Sequence, residues 1–125
     1  MSKSGIHEIA TSFLKLVIAG KVREAYDKYV SQELVHHNPY FEGTRNVLLE
    51  AMELDSRKHP HKSMDIKMII EEGDLVATYS HIKHTPEALG FATVHIFRID
   101  RGKIIEMWDI VHILEEDSPN ENGMF

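Results

Sequence analysis

The sequence predicts an α+β fold, with three N-terminal helices packed on one face of a curved antiparallel sheet. Three observations predict it. Apolar residues recur at helical spacing, between capping and stop signals, as far as residue 57. From residue 64 onward, Val, Ile, Phe, Thr and Tyr dominate in runs broken at glycine-containing turns. The stretch 91–114, FATVHIFRIDRGKIIEMWDIVHIL, reads as one long β-hairpin interrupted once, at Asp100-Arg101-Gly102. Helices first and hairpin-linked strands after is the chain order of an α+β domain.

The 125 residues make one domain, 1–125, with 42% hydrophobic and 27% charged residues. No apolar run approaches the ~20 residues of a membrane helix, and the N-terminus lacks the apolar segment of a signal peptide, so a cytoplasmic protein is expected. The absence of cysteine removes disulfides, thiolate nucleophiles and Cys-based zinc sites. A formal charge of −6 argues against a nucleic-acid partner.

In chain order, Ser4 can cap a first helix in which Ile6, Ile9, Ala10, Phe13, Leu16 and Val17 recur until Gly20 stops it. Residues 21–29 form a second, short helix with Val22, Ala25, Tyr26 and Tyr29 inward. Residues 33–38 are short and extended, closed by Asn38-Pro39. Thr44 caps a third helix to about Arg57, with Val47, Leu48, Ala51 and Leu54 as its apolar stripe. Strands follow at 64–71, 74–84, 90–99 and 103–114, with Glu71-Glu72-Gly73 joining the first two.

The turn type decides what the last hairpin can do. A two-residue Arg101-Gly102 loop needs positive φ at Arg101, which costs an L-residue about 1–2 kcal/mol. A three-residue loop needs only a left-handed Gly102, so Ile99 is expected to pair with Lys103. His95 then faces Met107, Thr93 faces Asp109, and His95 and Asp109 become diagonal neighbours roughly 7–8 Å apart at the backbone. One face carries this acid/base pair amid Phe91, Phe97, Ile105, Met107 and Val111. A carboxylate on an apolar face is costly unless partnered or functional. Such a group can take and return a proton, whereas a structural carboxylate would be locked by backbone amides. The other face holds Val94, Ile96, Ile104, Trp108, Ile110 and Leu114, an apolar patch that a second copy of the chain would cover.

Nine histidines raise the question of a metal. A site would recruit His37, His81, His95 and Asp109, but no His-x-His or His-x₃-His pair joins them, so no metal is expected. His59 and His61 sit in a polar loop and read as solvated. His36 and His37 point to opposite sides of an extended segment, so at most one of them faces a cavity, and the sequence leaves open which.

The run Phe97-Arg98-Ile99-Asp100-Arg101-Gly102-Lys103-Ile104-Ile105-Glu106-Met107-Trp108-Asp109 resembles the SnoaL-like polyketide cyclases of the nuclear-transport-factor-2-like (NTF2-like) superfamily. His37-Asn38-Pro39, Glu72-Gly73-Asp74 and the tail Asn120–Phe125 are similar to its small bacterial members. The resemblance implies a cone-shaped fold with a deep apolar pocket and a homodimer through the outer sheet face. It puts a general acid/base for aldol condensation at Asp109 and a partnering imidazole at His95. Many members carry His before the Trp-Asp pair, where this chain has Met107. The expected substrate-contacting residues are His37, Asn38, Tyr79, His81, Phe97 and Met107. The function so implied is a cofactor-independent enzyme working on an apolar carbonyl compound, by aldol cyclisation or isomerisation. The alternative is a non-catalytic module that binds an apolar small molecule, because the superfamily holds both kinds.

Overall fold

A computed structural model describes residues 5–125; the expected cap Ser4 lies outside them. Three helices, α1 (Gly5–Ile18), α2 (Val22–Tyr29) and α3 (Arg45–Lys58), pack on a curved five-stranded sheet. The strands are β1 (Val30–His37), β2 (Ser63–Glu72), β3 (Leu75–Lys83), β4 (Phe91–Asp100) and β5 (Lys103–Ile113), in the order β1-β5-β4-β3-β2. The sheet is mixed rather than antiparallel, because β1 runs parallel to β5 at the edge. The segment expected to be extended only at 33–38 is a full eight-residue strand that starts directly after α2.

Local chemistry sets the helix ends. α1 stops in a left-handed Gly20 (φ 85°), with Lys21 N donating to Leu16 O and Gly20 N to Val17 O, a Schellman closure. α3 is capped by Thr44, whose Oγ1 accepts from Val47 N at 3.4 Å. Its buried face runs through Arg45, Leu48 and Leu49 with Met52 packed behind, and Leu54, expected inward, is exposed. Arg45 had no part in the expected stripe, yet this charged residue opens the buried face. Its guanidinium donates through one Nη to Tyr26 O at 3.1 Å and lies over the Tyr26 ring, while its Nε is buried without a partner among the described residues. Ala10, Phe13, Leu14, Val17, Tyr26 and Leu48 meet Val76, Phe97, Ile99 and Ile104 in the core.

The β4–β5 hairpin departs from expectation twice. Asp100 pairs with Lys103, so the loop is the two-residue Arg101-Gly102, with φ 53° and 78°. The strain at Arg101 is accepted, because this mirror-image turn matches the strands' own twist. Ile99 then pairs with Ile104 and Arg98 with Glu106, which leaves Ile105 as a bulge. The bulge restores odd-to-odd pairing, and His95 faces Asp109 directly instead of diagonally. It also exchanges two residues: Ile104, expected outward, is fully buried, and Ile105, expected inward, is not. The β2–β3 turn is similarly shifted to Gly73-Asp74, since Glu72 pairs with Leu75.

Candidate active site

Odd-numbered side chains of β4 and β5 beyond the bulge face the helices. With residues of α1, α2, α3 and β2 they enclose an apolar cavity of about 240 Å³. Phe13, Tyr26, Leu48, Met64 and Phe91 form its walls, and Thr93, His95, Met107 and Asp109 line its sheet side. Asp109, His84, Phe91 and Val111 also line an open groove next to it, so Asp109 sits where the cavity meets its mouth.

The centre of the site is His95 Nε2 at 3.6 Å from Asp109 Oδ1, with 13% and 16% of the two side chains exposed. At 3.6 Å the contact is longer than a hydrogen bond, and it becomes an ion pair only when the ring is protonated. Burial pushes the His95 imidazole below its ordinary value, and the Asp109 charge only partly offsets this. The ring is therefore neutral near pH 7. Its Nδ1 is sealed in the fold without a partner among the described residues, which leaves Nε2 as the nitrogen that can meet a ligand. Asn38 Nδ2 donates to Asp109 Oδ2 at 3.1 Å, and the Asn38 carbonyl in turn accepts from Tyr40 N at 2.8 Å. Among the described residues this is the one hydrogen bond to the Asp109 carboxylate, so Asp109 is loosely held on its Oδ1 side.

His36 was left open by the sequence and stands inside. The parallel pairing of β1 puts His36 beside Met107 and His37 beside Trp108, and paired residues share a face. His36 is buried with both ring nitrogens unpartnered among the described residues. Burial lowers its basicity; Asp109 acts against this, and the His37 and His95 rings reinforce it. Tyr26, on the opposite wall, has its phenol pushed up, first by burial and also by the Asp109 charge, while Arg45 opposes. His36 was one of two open candidates, and Tyr26 was not expected at the site. Tyr26 was legible only as a buried residue of the second helix.

Of the expected substrate-contacting residues, Met107 lines the cavity and Asn38 holds Asp109. Phe97 is fully buried, its ring against Phe13, and belongs to the core beneath the site. His37, Tyr79 and His81 lie on the outer face. His37 bonds Glu106 Oε2 at 2.7 Å and stacks on Trp108. Thr78 pairs with His95, so the even-numbered residues of β3 face inward and Tyr79 and His81 outward. There the tail covers them: the Tyr79 hydroxyl donates to Met124 O at 2.6 Å, and the Phe125 ring stacks on His81.

The sequence profile of the family described as SnoaL-like polyketide cyclase matches residues 8–115. Solved structures share the fold. AclR, a candidate hydroxylase from Streptomyces galilaeus, superposes with a TM-score of 0.74 at 20% identity, over 89% of this chain and 91% of that one. A candidate polyketide cyclase from Acidithiobacillus ferrooxidans gives 0.69 at 21% identity, with the same coverages, 89% and 91%. TsrD from Streptomyces laurentii gives 0.71 at 18% identity, over 89% and 90%. No curated protein sequence matches the chain. Among the described residues no helix is long and apolar enough to cross a membrane.

Proposed function

Because the chain belongs to the SnoaL-like polyketide cyclase family, we propose that it is a small acid/base enzyme acting on an apolar carbonyl compound. The observation that carries the reading is the His95–Asp109 pair, half-sealed at the sheet side of an apolar cavity and held by a single hydrogen bond to Asp109. A carboxylate locked by several protein donors would favour a binder; one free on Oδ1 favours proton transfer.

In the proposed step, Asp109 Oδ1 takes a proton from the carbon α to the carbonyl, and the C–H electron pair moves to the carbonyl oxygen as an enolate. A neutral His95 carries its remaining proton on Nε2, drawn there by the carboxylate, and this N–H stabilises the developing oxyanion. The apolar walls exclude water and strengthen that hydrogen bond. Returning the proton at another carbon gives isomerisation; attack of the enolate carbon on a second carbonyl, whose oxygen then takes the proton back from Asp109, gives aldol cyclisation. Thr93 Oγ1, buried on the same face without a protein partner among the described residues, is available to a polar group of the ligand.

The outer sheet face supports a homodimer. Val94, Ile96, Trp108 and Ile110 lie there, with Ile110, Met68 and Ile70 exposed in the single chain. Ile104 no longer belongs to this patch, and the tail takes up its β3 side.

The test is deuterium exchange. Apolar ketones and diketones incubated with the protein in D₂O should gain deuterium at the α carbon, read by proton NMR. Ligands that bind without exchange would instead assign the cavity to sequestration.

A further inference from the structure

Asp55, His59 and His84 converge at the rim of the cavity, away from the His95–Asp109 pair. Asp55 and His59 are four residues apart at the C-terminal end of α3, and His84 follows the last residue of β3. One ligand atom from each lies within 4.8 Å of the other two. The His59 and His84 rings are stacked, with centroids 3.7 Å apart and planes at 4°. His59, read from sequence as a solvated loop residue, is only 31% exposed.

We propose that Asp55, His59 and His84 form a binding site for a late first-row divalent cation, Zn²⁺ foremost. Two imidazoles with one carboxylate are a donor set that such ions take. The chain supplies them on the ends of two regular elements, where the backbone is fixed. Donors around a tetrahedral Zn²⁺ stand roughly 3.3 Å apart for Zn–N bonds of about 2.0–2.1 Å. Closing from 4.8 Å or less asks each side chain to move by about 1 Å or less. The stacked rings must turn so that their in-plane lone pairs meet, and the terminal torsion of histidine is broad enough to allow it.

Lys62 completes the arrangement. Its ammonium holds Asp55 Oδ2, while Oδ1 faces His59 Nε2 at 3.9 Å. The carboxylate is thus oriented by an outer partner, with the other oxygen turned to the site. Asp55 and His84 also line the cavity, so an oxygen of a cavity ligand can fill the remaining position.

The experiment titrates metal-free protein with Zn²⁺ by calorimetry and with Co²⁺ by visible absorption. One ion per chain is expected, with a Co²⁺ spectrum of low coordination number. His84→Ala and His59→Ala should each weaken binding by more than about tenfold, since even outer partners of ligands carry about 10–100-fold. Asp109→Asn should leave binding unchanged, which separates this site from the proposed catalytic one. Absence of stoichiometric binding, or affinity that survives both histidine variants, overturns the proposal. Should the variants fail to fold, imidazole NMR of the unmodified protein decides: Zn²⁺ shifts confined to His59 and His84 support the site, and shifts elsewhere overturn it.

Discussion

His95 and Asp109 stand directly opposite each other on β4 and β5, and it is the unpaired Ile105 that puts them there. A two-residue turn without the bulge would set His95 against Trp108 and send the carboxylate to the other side of its partner. One extra residue in β5 returns both groups to the concave face.

Asp109→Asn is expected to reduce α-proton exchange by about 10²–10⁴-fold, the range typical of a general acid/base. Asparagine keeps the shape and can still bond Asn38, so the thermal midpoint should change little. Near-native exchange in this variant would remove Asp109 from the mechanism.

Stability should fall as the solution becomes acidic. His95 and His36 are both held below the ordinary value of 6.5. Above that value both the folded and the unfolded chain are neutral at these positions, and their contribution is complete. Below it the unfolded chain binds protons that the folded one refuses, so stability drops until the folded values are reached. Glu106, held down first by its hydrogen bond to His37 and also by Arg98, adds a loss only below its ordinary 4.5. Urea midpoints between about pH 7 and pH 5 should therefore decline, and less steeply in His36→Met. An equal slope in that variant would show that His36 does not contribute.

Gly90→Ala should destabilise the fold by more than about 1–2 kcal/mol, the cost of the left-handed conformation alone. Gly90 has φ 80°, and an added Cβ would stand 2.2 Å from Ile82 O. The backbone of this turn, whose Gly90 O also receives Leu114 N, has to shift. Chemical denaturation measures it, and a midpoint equal to the unmodified protein's would contradict this account.

The unmodified protein should sediment as a dimer at micromolar concentration, and Ile110→Glu as a monomer. Ile110 is 57% exposed in the single chain, so the folded monomer tolerates the charge while a dimer would bury it unpaired. It is a cleaner probe than Trp108, which is already packed between the His37 ring and Arg98. Sedimentation of the unmodified chain as a monomer would leave the patch to another partner.

The α+β class, the three helices and the last four strands were legible in the sequence; the final hairpin was legible as a hairpin, but not its turn, its bulge or the faces of Ile104 and Ile105. Each rests on local chemistry: helical period, the Thr44 cap, the Gly20 stop, and the alternation within each strand; the face shared by His95 and Asp109 came from the Ile105 bulge, which no local signal marked. What was not legible depends on which distant segments pair. The parallel docking of β1 on β5 chose His36 over His37, and the register of β3 on β4 turned Tyr79 and His81 outward. The meeting of Asp55 and His59 with His84 is likewise a property of α3 lying beside the end of β3. A period of two says that neighbours alternate, but only the partner strand says which of them faces in. That choice was made by tertiary structure, where one bulge or one edge strand exchanges every face at once.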